Sequence, residues 1–77
     1  MNKILFFAGL KEVIGEDFLQ RELNGKTVGE AKAILQEEFP ALSLDIAMTA
    51  INEEYAFDED VIKKEDVIAF IPPVSGG

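Results

Sequence analysis

The sequence predicts an α+β roll, in which one main helix lies across one face of a mixed sheet. Residues 3–8 and residues 67–71 are apolar at both alternating sets of positions, which is typical of central strands with both faces covered. Parallel neighbours need a long crossover connection, and the stretch between these two segments is long enough for one. We therefore expect the first and last strands to lie side by side at the centre of the sheet.

Two weaker elements follow the first strand. Residues 10–14 are predicted to form a short helical turn between Gly9 and Gly15. Residues 17–22 alternate weakly between polar and apolar side chains, which indicates a second strand near the edge of the sheet. Asn24-Gly25 then marks a turn.

The main helix has the clearest local signal. Thr27 supplies a hydroxyl at the cap and Glu30 a carboxylate three positions later, which is the capping-box pattern. Apolar residues then follow at helical spacing until Pro40 ends the helix. We expect this apolar stripe to face the core, and it consists of Val28, Ala31, Ile34, Leu35 and Phe39.

The second half of the chain supplies the remaining strands. Residues 47–52 are predicted as a strand, Glu53-Glu54 as a tight connection, and residues 55–57 as a short strand. A polar loop over residues 58–66 leads to the last strand. This order, with both terminal strands central, is that of a β-grasp roll. No second helix is evident to cover the other sheet face. We therefore expect an apolar surface there that a partner protein could cover, formed by Leu5, Phe7, Ala69 and Ile71.

Length and composition indicate one folded domain without disulfides. The chain has 77 residues, 48% of them hydrophobic, and no cysteine, so there is room for a single core. We predict a domain over residues 1–71 and a projecting tail over residues 72–77. The apolar run at residues 4–8 is too short for a membrane span or a signal sequence. A small domain without disulfides favours a cytoplasmic location.

The charge of the chain is acidic and unevenly distributed. A net charge of −8 and a pI of about 4.3 argue against binding to nucleic acid or to anionic membranes. Residues 1–38 carry five basic and seven acidic side chains, a net of −2, whereas residues 39–77 carry two and eight, a net of −6. Two interpretations stay open: a solvated acidic surface, or a charge that steers the tail toward a basic partner.

Catalysis by the chain alone is not expected. The sequence has no histidine and no cysteine, so it lacks the usual near-neutral base and thiolate nucleophile. Thr27 serves as a cap, and Ser43 and Thr49 have no base nearby in the sequence. The carboxylates match no calcium loop and the glycines no phosphate-binding motif. We predict neither a metal site nor a bound cofactor in this chain.

The C-terminal tail is the remaining chemical feature. Its residues, none of them with a charged side chain, are Pro72, Pro73, Val74, Ser75, Gly76 and Gly77. The two prolines lack amide donors and favour an extended shape, so the last strand should end there and the tail should project. The two glycines have no β-carbon to block a narrow channel. The terminal carboxylate becomes electrophilic once it is activated, for example as an acyl-adenylate, so we predict a substrate arm for another enzyme.

Several segments resemble the small subunit of molybdopterin synthase. They are Leu5-Phe6-Phe7-Ala8, Glu12-x-x-Gly15, Ala50-Ile51-Asn52, Asp66-Val67-x-Ala69-Phe70 and Pro72-Pro73-Val74-Ser75-Gly76-Gly77. The resemblance spans the whole chain in order, and its most specific part is the ending after an apolar strand. The di-glycine by itself is shared with thiamine-pathway sulfur carriers and ubiquitin-like modifiers, which generally lack the Pro-Pro-Val element.

The resemblance implies a ubiquitin-like β-grasp fold and a sulfur-carrying function. An adenylating enzyme of the ubiquitin-activating type would use ATP and magnesium on the Gly77 carboxylate, which sulfur then converts to a thiocarboxylate. The tail would enter the active site of the large synthase subunit and give its sulfur to cyclic pyranopterin monophosphate, building the dithiolene of molybdopterin. In that family two small and two large subunits form a heterotetramer, with the catalytic side chains in the large subunits.

The resemblance also implies contacts with partners. The tail residues from Pro72 to Gly76 would be gripped by the large subunit, and the sheet-surface contacts implied by position are Phe7, Tyr55 and Ile71. Core packing is the alternative for Phe7 and Ile71. Three functional alternatives stay open: a sulfur carrier for thiamine synthesis or tRNA thiolation, a ubiquitin-like modifier that joins Gly77 to lysines of target proteins, and a plain interaction module.

Overall fold

The computed structural model describes residues 1–73, and these form two helices and five strands. In chain order the elements are β1 (Asn2–Phe6), α1 (Gly9–Ile14), β2 (Phe18–Arg21), α2 (Val28–Glu38), β3 (Met48–Ile51), β4 (Glu54–Ala56) and β5 (Val67–Ile71). Each predicted element is present, with ends shifted by at most two residues. Neither of these helices is long and apolar enough to cross a membrane. The predicted tail residues Val74, Ser75, Gly76 and Gly77 lie outside the described residues.

The five strands form one mixed sheet in the order β2-β1-β5-β3-β4. The central pair, β1 and β5, is parallel, with Ile4 opposite Ile68 and Phe6 opposite Phe70. The other three neighbouring pairs are antiparallel. The prediction of a mixed sheet with the terminal strands side by side at its centre is therefore confirmed.

One face of the sheet and α2 share a continuous apolar core. The central strands contribute Ile4 and Ile68, both fully buried, and the rings of Phe6 and Phe70, which stack with their centroids 5.9 Å apart. The buried residues of the helix are Val28, Ala31 and Leu35. The predicted arrangement of one main helix over one sheet face is confirmed.

One residue that was predicted to lie in the core is in fact at the surface. Ile34 is 38% exposed, and Phe39 at the end of the helix is only partly buried. At the rotation per residue of an α-helix, Ile34 lies about 90° around the axis from the centre of the buried stripe. The apolar face of α2 is therefore wider than the strip that the sheet covers, and Ile34 lies on its flank.

The beginning of α2 is closed by its cap and by the loop over residues 58–62. The Glu30 N–H donates to Thr27 Oγ1 at 3.1 Å, and the Thr27 N–H donates to the Glu30 carboxylate at 2.8 Å, which confirms the capping box. The Thr27 N–H also holds the pKa of Glu30 below its usual range. The next two amides of the helix donate to backbone carbonyl oxygens of the loop, each at 2.9 Å, so the helix terminus has its donors satisfied.

Asn2 is a buried polar anchor that ties the start of β1 to two loops. Its side chain is fully buried. The amide nitrogen donates to the carbonyl oxygens of Lys63 and Asp66 at 2.9 and 3.0 Å, and the amide oxygen accepts the Leu23 N–H at 3.0 Å. The Leu23 N–H is buried and the two carbonyl groups are partly buried, so these bonds satisfy backbone groups with reduced access to water.

Candidate docking surface

The sheet face opposite α2, which we call the open face, is formed by every second side chain of the strands. Side chains alternate along a strand, and the register brings the following to this face: Lys3, Leu5, Phe18, Gln20, Met48, Ala50, Tyr55, Val67, Ala69 and Ile71. Phe7, directly after β1, continues the same alternation. Among the described residues no helix or loop covers it, and Phe7, Met48 and Tyr55 are 45%, 43% and 73% exposed. The open face is thus a largely apolar surface, with Lys3 and Gln20 on its β2 side, and within residues 1–73 it has no second layer.

Bulky apolar side chains line the end of the open face where the tail begins. Met48 pairs with Ile71, and Phe7 directly follows the β1 residue that pairs with the penultimate residue of β5. Phe7, Ile71 and Met48 therefore lie in a row across three strands. β5 ends at Ile71, and Pro72 and Pro73 follow outside the strand. The tail therefore begins beside this apolar row.

A groove with a floor of two alanines runs next to this row. Leu5 lies opposite Ala69, and Ala69 lies opposite Ala50. Ala50 in turn lies opposite Tyr55. The two small side chains leave a depression of about 560 Å³ between larger neighbours. We call it the alanine groove, and its lining consists of Leu5, Phe7, Ala50, Asn52, Glu53, Tyr55, Val67, Ala69 and Ile71.

The hairpin turn between β3 and β4 forms one end of the alanine groove. The turn residues are Asn52 and Glu53, one position earlier than the predicted connection at Glu53-Glu54. Both have positive φ, 51° and 70°, which is typical of a type I′ hairpin turn. The Asn52 side chain donates to the Asp66 carboxylate at 2.8 Å and accepts the Val67 N–H at 2.9 Å. The turn is therefore fixed to the start of β5.

Comparison of the sequence with known families identifies the one to which the chain belongs. The profile of the ThiS family matches residues 4–77. The chain belongs to the ThiS family. It is 43% identical over 81 residues to the molybdopterin synthase sulfur carrier subunit of Dictyostelium discoideum, with 97% of this chain and 94% of the relative covered. It is 35% identical over 78 residues to the protein of that name from Arabidopsis thaliana, with 97% of this chain and 81% of the relative covered. The resemblance noted in the sequence is confirmed.

Solved structures of similar proteins have the same fold as this ThiS-family chain. SAMP1 from Haloferax volcanii superposes with a TM-score of 0.81 at 30% identity, covering 99% of this chain and 98% of that one. A complex of subunits 1 and 2 of the molybdopterin-converting factor from Helicobacter pylori gives a TM-score of 0.65 at 30% identity, with 99% and 97% covered. The ubiquitin-like β-grasp fold is confirmed.

The structure places all three predicted sheet-surface contacts of this ThiS-family chain in the lining of the alanine groove. Phe7 and Tyr55 are exposed and Ile71 is half-buried, and none of them belongs to the buried core. The alternative that Phe7 and Ile71 are core residues is therefore wrong. Within residues 1–73 only the α2 face of the terminal strands is covered, which agrees with the expectation that no second helix lies on the other face. Contact of these residues with a partner stays a prediction.

Met48, Ala50 and Glu53 lie on this surface but were not among the contacts predicted from the sequence. Met48 and Ala50 belong to a predicted strand, but an apolar strand pattern does not tell which alternating set faces the helix. Glu53 was assigned to the connection without a role. The signal that was available is the small size of Ala50 and Ala69, since two small residues between larger neighbours leave a depression in a sheet surface.

Proposed function

We propose that this chain is the sulfur-carrying small subunit of a molybdopterin synthase and is not an enzyme by itself. The observation that carries the proposal is its near-full-length similarity to proteins named for that function, at 43% identity for the Dictyostelium protein. The sequence supports it, because a chain without histidine or cysteine has few groups for catalysis. The reactive group is then the carboxylate of the C-terminal glycine.

Gly77 carries the sulfur through its backbone carboxylate. An adenylating enzyme of the ubiquitin-activating type, using ATP and magnesium, joins a carboxylate oxygen to the α-phosphorus of ATP, and pyrophosphate leaves. A sulfur nucleophile at the oxidation level of hydrosulfide attacks the acyl carbon and AMP leaves, so that sulfur replaces one oxygen. Glycine suits both steps because no β-carbon stands beside the carbonyl group. The cofactors of this step belong to the activating enzyme.

The open face is the surface that docks on the large synthase subunit. The similar Helicobacter pylori structure is a complex of subunits 1 and 2 of the molybdopterin-converting factor, which supports a two-subunit assembly. Because the apolar row lies beside the end of β5, docking there directs the tail from Pro72 to Gly76 into the active site of the large subunit. Two small and two large subunits form the heterotetramer, and the large subunits supply the catalytic side chains.

Transfer of the sulfur completes the cycle. The thiocarboxylate sulfur attacks a carbon of cyclic pyranopterin monophosphate, and the carbon–oxygen bond at that carbon breaks, so that its oxygen leaves with a proton. Water then cleaves the acyl–sulfur bond. The sulfur stays on the pterin and the Gly77 carboxylate is regenerated. Two loaded chains supply the two sulfur atoms of one dithiolene. The net charge of −8 favours a basic surface on the partner around the docking site.

A ubiquitin-like protein modifier is the second candidate function. The observation that favours it is the similarity to SAMP1 from Haloferax volcanii, which is a small archaeal modifier protein. In that reaction a lysine amine of a target protein attacks the activated Gly77 carbonyl and forms an isopeptide bond. A sulfur carrier for thiamine synthesis or tRNA thiolation is loaded in the same way as the first candidate and differs only in its acceptor.

Intact-mass spectrometry of the full chain separates these candidates. The chain is incubated with the activating enzyme, ATP, magnesium and a sulfide source, with omission of the sulfide as the control. We expect a mass increase equal to the exchange of one oxygen for sulfur, absent without sulfide and absent in a chain that lacks Gly77. Loss of this sulfur after the large subunit and cyclic pyranopterin monophosphate are added supports the first candidate. Covalent adducts with lysines of added proteins, in place of the exchange, would contradict it.

A further inference from the structure

The alanine groove has one acidic residue and no basic residue in its lining, and the acidic residue is Glu53. The rest of the lining is apolar except for the amide of Asn52 and the phenol of Tyr55. Glu53 lies in the hairpin turn at one end of the groove, and the floor of Ala50 and Ala69 lies beside it. A partner that fills the groove therefore meets an apolar floor and one carboxylate.

The Glu53 carboxylate has no partner within the part of the chain that the structure describes. It accepts no hydrogen bond and forms no ion pair with residues 1–73. Some other acidic side chains are paired internally, such as Asp17 with Lys11 and Asp58 with Lys32, each at 2.8 Å. The charge of Glu53 is thus available to a partner, and no internal contact has to break for it to pair.

The backbone at Glu53 has a conformation that favours glycine. Its φ is 70°, and it occupies the second central position of a type I′ turn, where Asn-Gly is the preferred pair. A glutamate at positive φ raises the conformational energy of the folded chain. Strain of this kind is concentrated at functional sites. The sequence thus has glutamate at a position where glycine would make the turn more stable.

We propose that Glu53 selects the large subunit: an apolar side chain of that subunit enters the alanine groove, and a neighbouring arginine or lysine pairs with the Glu53 carboxylate. The inference rests on the proposed function and adds the chemistry of the contact. An apolar centre with a charged rim is the usual anatomy of a protein interface, in which the rim charge fixes the register and speeds association. A second copy of this chain is a poor occupant, because a net charge of −8 on each copy opposes their approach.

Isothermal titration of the purified large subunit into the full chain tests this assignment. The variants are Glu53→Lys, Glu53→Gln and Glu53→Gly. The matched control is Glu54→Lys, the next residue along, which lies outside the lining of the groove. We expect Glu53→Lys to weaken binding by about tenfold or more, and Glu54→Lys to change it by about twofold or less. Added salt should weaken the wild-type complex more than that of Glu53→Gln.

The glycine variant separates a binding role from a structural one. Glu53→Gly should bind as weakly as Glu53→Gln, while its thermal stability stays equal to that of the wild type or rises, because glycine adopts a positive φ without strain. A structural role of the side chain would instead lower stability and binding together, and this outcome would contradict the proposal.

Two further outcomes would overturn the inference. If the wild-type chain and Glu53→Lys bind the large subunit equally, the selection by Glu53 is wrong and the proposed function stands. If the wild-type chain does not bind the large subunit, the proposed function and the inference fail together. Sedimentation of the chain alone should show a monomer. A dimer that Phe7→Arg dissociates would assign the groove to a second copy of the chain and would also contradict the proposal.

Discussion

The two faces of the sheet have similar apolar side chains but different surroundings. Phe6, on the α2 face, is 2% exposed, whereas the next residue, Phe7, is 45% exposed on the open face. Phe70 is fully buried and its neighbour Ile71 is half-buried. A strand can therefore have apolar side chains on both faces although its own chain covers only one of them. In this protein one layer is the helix, and we propose that the other is a partner.

Substitutions of neighbouring residues on one strand should therefore have different effects. Side chains on the α2 face contribute to the free energy of unfolding, because they are removed from water when the chain folds. Side chains on the open face remain partly in water and contribute fully only when a partner covers them. Substitutions at adjacent positions along β1 and β5 should therefore separate folding from binding.

The largest expected effect is loss of stability on the α2 face. Phe70→Ala removes a fully buried ring that stacks on Phe6, and we expect it to lower the free energy of unfolding by about 3–5 kcal/mol. Urea denaturation followed by circular dichroism measures the change. Ile71→Ala, one residue along, should cost clearly less, and equal losses at the two positions would contradict the difference between the faces.

The second effect concerns binding without loss of the fold. Phe7→Arg places a charge in the apolar row of the open face, and we expect it to weaken binding to the large subunit by about 2 kcal/mol or more. Its free energy of unfolding should stay within about 0.5 kcal/mol of the wild-type value, as for other surface changes. Val13→Arg is the matched control, because Val13 is similarly exposed, at 41%, but lies on α1. Equal affinities of the two variants would show that the open face is not the docking surface.

The third effect tests the buried polar anchor under the α2 face. Asn2→Ala leaves the Leu23 N–H and the carbonyl oxygens of Lys63 and Asp66 without their partner. We expect a loss of about 1–3 kcal/mol in the free energy of unfolding, because the Leu23 N–H is buried and the two carbonyl groups are partly buried. Chemical denaturation measures it against Asn24→Ala, where the asparagine is exposed. A loss no larger than in that control would show that the hydrogen bonds of Asn2 do not stabilise the fold.

The smallest expected effect is a decrease in the free energy of unfolding at acidic pH. The hydrogen-bonded Arg21 guanidinium holds the pKa of Glu38 below its usual range. A carboxyl whose pKa is lowered by folding contributes stability above its unfolded pKa and loses that contribution as the pH falls through the folded pKa. The pair is more than one-third exposed and therefore screened, so we expect less than about 1 kcal/mol.

Thermal unfolding between about pH 5 and pH 2 measures this dependence. Glu38→Gln should be less stable than the wild type near neutral pH, and the difference should shrink toward pH 2. Glu37→Gln, at the neighbouring exposed position, is the control. If the difference between Glu38→Gln and the wild type is independent of pH, the ion pair does not stabilise the fold.

The sequence predicted the fold wherever a local pattern determines the outcome. The cap at Thr27 and Glu30 fixed the start of α2, and the apolar terminal segments fixed the centre of the sheet. Ile34 was misplaced because helical spacing does not tell how wide a strip of the helix is covered. Asn2 was missed because its three partners are brought together only by the tertiary fold.

The candidate site was only partly predicted, because some of its residues come together only in the tertiary fold. Phe7, Tyr55 and Ile71 were placed on one surface by resemblance, and the register brings them to one groove. The alanine floor and the side chain of Glu53 depend on which residues of β3, β4 and β5 stand opposite one another. That register depends on an Asn-Glu turn without glycine, which gives a weak signal in the sequence.

The role of the open face in sulfur transfer is tested by the intact mass of the loaded chain before and after it meets the large subunit. The wild-type chain and Phe7→Arg are both prepared with a thiocarboxylate on Gly77 and are incubated with the large subunit and cyclic pyranopterin monophosphate. If the open face docks on the large subunit, the wild-type mass returns to that of the carboxylate, while Phe7→Arg keeps its sulfur over the same time. Persistence of the sulfur in the wild type, or equal loss from both chains, would contradict it.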